Sequence, residues 1–245
     1  MSTNDWFATW FETDYYHTLY KYRDKAEAEH FIQHLIEALD APKNSRVLDL
    51  ACGKGRHSIT LHELGMNVLG ADLSSNSIRQ ANTFAKEGLE FIVHDMREVI
   101  TGRRFDYVLN LFTSFGYFDN KFDNQKVIDA ISSMLSDNGK LVIDFLNANK
   151  VINELIPQEI KSIDGIDFKI RREYNGSHIL KHISFDDGGK SYDFTEQVQA
   201  LKLEDFSQFL FDAGLEIISI FGDFDLRPFD KKLSNRLIII AKRKV

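Results

Sequence analysis

From about residue 24 to 147 the chain alternates apolar stripes at helical spacing with short apolar runs flanked by turn residues. Asp24, with Glu27 three residues on, marks a helix start. Phe31, Ile32, Leu35, Ile36 and Leu39 then fall on one helical face, and Pro42 lies beyond the stop. Residues 47–50 read as a strand entering a glycine turn, followed by a helix over 56–64 that Gly65 closes. Residues 67–71 form the next strand, ending at Asp72. Ser74 or Ser75 caps a helix carrying Ile78, Ala81 and Phe84. Two more strands follow over 89–93 and 107–111. A helix through Val127, Ile128, Ile131, Met134 and Leu135 is stopped by Asp137-Asn138-Gly139, and a fifth strand covers 140–145. Such alternation predicts a mostly parallel sheet covered by helices.

The period changes over residues 160–201, where Phe168/Ile170, Ile183/Phe185 and Tyr192/Phe194 alternate with polar neighbours. Asn175-Gly176 and Asp187-Gly188-Gly189 supply hairpin turns, so this stretch reads as an antiparallel meander. A last helix buries Phe206, Phe209, Leu210 and Ala213, and strands over 215–220 and 236–241 finish the pattern. The architecture expected is α/β: seven strands in one layer, helices on both faces, and a meander inserted after the fifth strand. One domain over residues 1–245 is expected, with residues 1–40 as a lid and 155–201 as a cap over the sheet's carboxyl edge.

Composition narrows the setting. The 245 residues are 43% hydrophobic, enough for one sizeable core, and only three are proline. The single cysteine, Cys52, excludes an intrachain disulfide and any multi-cysteine metal site, and no metal is expected. The N-terminus is aromatic and acidic, unlike a signal peptide, and no apolar run approaches 18 residues, so a cytoplasmic protein away from membranes is expected. A net charge of −7 counts against nonspecific nucleic-acid binding. Monomer and homodimer both remain open.

The chemistry begins at the first turn, Asp49-Leu50-Ala51-Cys52-Gly53-Lys54-Gly55. Ligands of open parallel sheets bind outside the carboxyl ends of the strands, where this turn sits. Gly53 and Gly55 tolerate positive φ and let a ligand approach the backbone. Asp49 would repel a pyrophosphate across a partly desolvated crevice, and Ser58 stands where a dinucleotide fingerprint needs its third glycine. A phosphate-free ligand bearing an ammonium group suits the turn. Asp72, 23 residues beyond Asp49, is placed to accept both hydroxyls of a ribose, or else to cap the following helix. Asp95 could accept from an adenine amino group while the Met96 N–H donates to the ring; the plainer alternative is a loop acid.

The runs VLDLACGKGRHS, GADLS, HDMRE and FDYVLNLFTSFGYF, in this order, resemble the class I S-adenosylmethionine-dependent methyltransferases. The likeness is close over residues 46–147 and loose over the last two strands. It implies a Rossmann-like fold with S-adenosyl-L-methionine as cofactor. It places Asp49, Ala51, Gly53 and Gly55 around the methionine part, Asp72 and Leu73 at the ribose, Asp95 and Met96 at the adenine, and Leu111 beneath. Within the family the chain resembles small-molecule enzymes, including sugar-amine N-methyltransferases, whose N-termini carry an aromatic segment like Tyr16-His17-Thr18-Leu19-Tyr20. The resemblance implies Tyr16 and Tyr20 folding over the cofactor and Tyr117 facing the nucleophile; some sugar-amine enzymes have His at that last position. Arg23 is a candidate for the cofactor's carboxylate.

Methyl transfer from a sulfonium is a direct displacement that asks for an in-line nucleophile in a dry pocket. A base helps only where the acceptor arrives protonated, and Tyr20, Tyr117 and His17 are the catalytic candidates by position. His57 begins a helix and reads as a loop residue or one standing behind the site, His94, His178 and His182 as structural or exposed, and Cys52 as a packed thiol. The expected activity is methylation of nitrogen or oxygen on a small molecule. Methylation of tRNA or protein, and cofactor binding without catalysis, are the competing readings.

Overall fold

Strand β1 (Arg46–Leu50) is buried at every position after Arg46, as a central strand covered on both faces must be. The computed structural model describes residues 9–21 and 25–244. Arg23, Asp24 and Trp6, and with them the expected helix cap and carboxylate ligand, lie outside the described residues. Helices α1 (Asp14–Leu19) and α2 (Lys25–Leu39) precede β1. Then come α3 (Arg56–Glu63), β2 (Asn67–Asp72), α4 (Ser75–Ala81), β3 (Leu89–Val93) and β4 (Phe105–Asn110). They are followed by α5 (Lys121–Met134), β5 (Leu135–Leu146), α6 (Ala148–Asn153), β6 (Gln158–Ile163), β7 (Ile166–Tyr174), β8 (His178–Asp187) and β9 (Lys190–Gln199). Helix α7 (Leu203–Asp212), β10 (Leu215–Phe221) and β11 (Arg236–Arg243) complete the chain.

The main sheet has the order β10-β11-β5-β4-β1-β2-β3, parallel except where β11 runs against both its neighbours. Chain direction across the sheet reverses between β1 and β4, and the crevice at their carboxyl ends is where such sheets take ligands. Phe31, Ile32 and Leu35 of α2 join α3 and α4 in covering one face. Val127, Ile131, Phe206 and Leu210, from α5 and α7, cover the other. Ser74, rather than Ser75, caps α4, its Oγ accepting from the Ser77 N–H. Gly65, with φ of +93°, follows the end of α3.

Two local expectations need correction. Asp137-Asn138-Gly139 does not separate α5 from a strand beginning at 140; β5 already begins at Leu135, which pairs with Phe105. A Cβ on Gly139 would lie 2.9 Å from the Phe105 carbonyl oxygen, so the glycine serves a close backbone approach within the strand. The second omission is α6, where Asn147 caps a short helix by accepting from the Asn149 N–H. Strands β6–β9 form a separate antiparallel sheet in sequential order. Its first hairpin turns on Asp164-Gly165, both left-handed at φ +51° and +80°, as the right-handed strand twist favours. Phe168, Ile170, Ile183 and Phe185 of this sheet pack around Trp10 and Leu19, which fastens the N-terminal segment to it. No described helix is long and apolar enough to cross a membrane.

Candidate active site

The turn after β1 is wound tightly by its backbone. Ala51, Gly53 and Gly55 all have positive φ, at +66°, +57° and +83°. The N–H groups of Ala51 and Cys52 both donate to the Ala71 carbonyl, at 2.7 and 3.1 Å. Gly53 donates to Asp72 Oδ2 and Ser74 to Asp72 Oδ1, each at 2.8 Å, so the Asp72 carboxylate is aimed by two backbone donors. Burial nonetheless pushes the Asp72 pKa up, against those two bonds. Asp49 is 1% exposed and accepts from Ser58 Oγ at 2.6 Å. Burial above all, with Asp72 adding to it, raises its pKa to about 6, so it is mainly ionised at neutral pH.

This turn borders a cavity of about 440 Å³. Asp49, Ala51, Gly53, Asp72 and Leu73 line it, together with Asp95, Met96 and Leu111. Tyr16, His17, Tyr20 and Tyr117 lie along the same cavity, so the structure brings together nearly every residue singled out from the sequence. Gly55 is the exception. It does not line the cavity; a Cβ there would meet Phe91 Cε1 at 2.6 Å, so this glycine admits a ring of β3 and starts α3. Cys52 is buried beside the turn, and its thiol pKa is pushed well up by burial and then by Asp49 and Asp72, which leaves it unreactive.

Asp95 is clamped by Arg97, whose Nε lies 3.0 Å from Oδ1 and Nη2 2.6 Å from Oδ2. Oδ1 also accepts from the Arg97 backbone N–H at 2.9 Å, so backbone and side chain together fix the direction of the carboxylate. The loop after β4 passes through two consecutive left-handed residues, Phe112 and Thr113, at φ +58° and +61°. Fully buried Asp144 holds them there: Oδ2 accepts from the Phe112 N–H at 2.8 Å, and Arg236 joins Asp144 Oδ1 to Thr113 Oγ1. Tyr117 Oη donates to the Thr113 carbonyl at 2.5 Å, which commits its proton. His17 is half-buried, its Nε2 enclosed without a hydrogen bond; burial, and then Lys54, lowers its pKa to about 4.

A second cavity of about 410 Å³ adjoins the first. Phe11, Tyr16, Tyr20, Phe112 and Tyr117 border both. Much of its remaining wall comes from β7–β9, including Arg172, Ile179, Lys181 and Glu196, and Leu146, Val151, Phe224 and Arg236 contribute the rest with Thr113. Glu196 accepts from Trp10 Nε1 and from Tyr20 Oη, each at 2.7 Å, and pairs with Lys181 at 3.5 Å.

Comparison with known proteins decides what this crevice belongs to. Residues 41–182, more than half of the chain, match the family described as Methyltransferase domain. The chain belongs to the S-adenosylmethionine-dependent methyltransferases. It is 30% identical to YqeM of Bacillus subtilis (strain 168), itself named only provisionally as a methyltransferase, over 82% of this chain and 85% of that one. It is 29% identical to the glycine/sarcosine N-methyltransferase of Aphanothece halophytica, over 82% of this chain and 76% of that one. A methyltransferase structure from Clostridium acetobutylicum ATCC 824 shares the fold at a TM-score of 0.80 and 22% identity, covering 94% and 96% of the two chains.

The methyltransferase also has site features that its sequence did not announce. Glu12 accepts from Ser74 Oγ at 2.9 Å and so stands beside the Asp72 turn. His57 stacks on Phe112 with ring centroids 4.7 Å apart, at the cavity wall and not out in a loop. Glu196 lies 176 residues from Tyr20, and nothing local in a strand of alternating polar residues marks it out.

Proposed function

We propose that this methyltransferase transfers a methyl group to a nitrogen or oxygen of a small metabolite, with nitrogen favoured. The observation that carries the proposal is the aromatic wall shared by two adjoining cavities of similar volume, each within the range of small-molecule sites. An acceptor in the second cavity would meet the first across Tyr16, Tyr20, Phe112 and Tyr117. The glycine/sarcosine N-methyltransferase relative supports an amine as acceptor.

The residues present fit the cofactor. Asp49 offers a buried carboxylate to an ammonium group, and a Cβ at Gly53 would find nothing within 4 Å, which leaves room against the backbone. In this reading Asp72 holds the ribose, Asp95 and Met96 meet the adenine, and Leu111 and Leu73 pack on the nucleoside. When bound, the cofactor supplies a methyl group on a positively charged sulfur. The chain's contribution is to exclude water and orient the acceptor. Tyr117 Oη can accept an N–H from an amine while donating to Thr113. His17, neutral at pH 7 and lining the first cavity, can accept a hydrogen bond there but is too weak a base to remove a proton. Within the expected lid over residues 1–40, α2 packs on the main sheet instead, so we assign residues 9–21 as the lid and 155–201 as a cap over the acceptor.

The test combines labelled cofactor with a panel of amines, amino acids, phenols and carboxylates. Label on at least one small acceptor supports the reading; label only on tRNA or protein overturns it, and tight cofactor binding without turnover favours a non-catalytic role. By calorimetry Asp72→Ala should weaken cofactor binding at least tenfold. Unchanged affinity removes the ribose assignment.

A further inference from the structure

Away from both cavities, α2 and the loop between β10 and β11 bring two histidines and a carboxylate together. His30 and His34 are four residues apart on α2, hence on one face of the helix, with ring centroids 4.0 Å apart. His30 Nε2 lies 2.8 Å from Asp225 Oδ1, across 195 residues of sequence. One ligating atom from each of the three side chains falls within 4.8 Å of the others. We propose that His30, His34 and Asp225 form a binding site for a divalent first-row transition metal of the Zn²⁺ class.

The donor set favours that class over Mg²⁺ or Ca²⁺, which prefer all-oxygen shells. Two ligands of a tetrahedral ion at about 2.0–2.1 Å stand about 3.3 Å apart. His30 and Asp225 therefore need only part slightly for the ion to enter between them. The ion takes the place of the proton between His30 Nε2 and Asp225; a neutral imidazole carries that proton on Nδ1 instead, and a charged one releases it to solvent. Arg227 brings an opposing positive charge, but its Nη2 holds Oδ2 at 2.9 Å and leaves Oδ1 to face the histidines. That contact orients the carboxylate as outer partners of metal ligands do. The loop is also pinned from within, Asp223 Oδ1 accepting from the N–H groups of Asp225 and Arg227 at 3.0 and 3.1 Å. Water would complete the coordination on the exposed side.

The site has a structural reach. Phe224, next to Asp225, packs on Phe31 of α2 at 4.7 Å and on Phe112 at 5.0 Å, and it lines the second cavity. A bound ion thus fastens α2 to the loop that supplies part of that wall. The proposal stands independently of the methyl acceptor and of turnover.

The experiment is calorimetric titration of Zn²⁺ into the full, chelator-stripped chain, with Co²⁺ as a visible-absorption probe. One equivalent should bind at micromolar concentration or tighter, and His34→Ala and Asp225→Asn should each weaken it at least tenfold. His30→Ala/His34→Ala should abolish both the heat and the Co²⁺ bands. Absence of saturable one-to-one binding overturns the proposal, as does undiminished binding by the double variant. His30 and Asp225 are 49% and 42% exposed at their side chains, so these changes should leave the fold intact, which circular dichroism checks.

Discussion

Replacing Asp49 by Asn should stabilise the ligand-free enzyme at neutral pH while weakening its hold on the cofactor. Burial raises the Asp49 pKa from 3.8 to about 6, so the folded chain binds a proton there that the unfolded chain has already released. Between those two values stability falls as pH rises, and above about 6 the full penalty is in place. A shift of about 2 units corresponds to about 3 kcal/mol. Urea unfolding of both proteins without cofactor, from pH 4 to 7.5, isolates Asp49 and its coupling to Asp72, because the more distant titrations are shared. The stability of the variant relative to the native chain should climb by up to about 3 kcal/mol through this range and then level off. Cofactor affinity of the native chain should rise with pH up to about 6, whereas that of Asp49→Asn should stay weak and flat. A stability difference that does not change with pH, or that shrinks as pH rises, refutes the reasoning.

Two other substitutions probe the packing around the site. Gly55→Ala combines a left-handed φ with a 2.6 Å approach to Phe91, and should cost about 2–5 kcal/mol by urea midpoint. Gly53→Ala, with open space around its Cβ, should cost about 1–2 kcal/mol and act mainly on cofactor affinity. Glu196→Gln removes the charged acceptor shared by Trp10 and Tyr20. In a Trp6→Phe background the emission of Trp10, which is 1% exposed, should shift to the red as the N-terminal segment loosens. Unshifted emission would show that apolar contacts alone hold the segment.

Sequence pattern carried the sheet, and the grouping of most candidate residues at one cavity, because both follow from local spacing. Val47, Leu48 and Leu50 form a buried run, and Asp49, Gly53 and Asp72 sit at fixed places relative to strand ends, so period and spacing sufficed. At Gly55 positive φ and a close ring approach leave the same mark in sequence as a ligand does. Gly139 was read as a turn for a similar reason: glycine records a missing Cβ without saying which neighbour required it. Glu196, Lys181 and Asp225 were illegible because their partners stand more than 150 residues away. His30 and His34 carried a helical spacing that could have been noticed, yet a pair gains meaning only with a third ligand. Asp95 was found, but its Arg97 clamp depends on how the loop curls back.

The strip of chain from Phe11 to Tyr20 touches both compartments, whereas Ile179, Lys181 and Val198 border one alone. Inheritance can therefore treat the two ligands unequally. On the proposed assignment, replacement of Ile179 or Val198 retunes what is methylated while the donor's berth is left untouched, but any change in the aromatic strip, or in the Glu196 that holds it, is felt by donor and recipient together. Variety among descendants of this scaffold should accumulate in the inserted sheet, and the strip should change slowly.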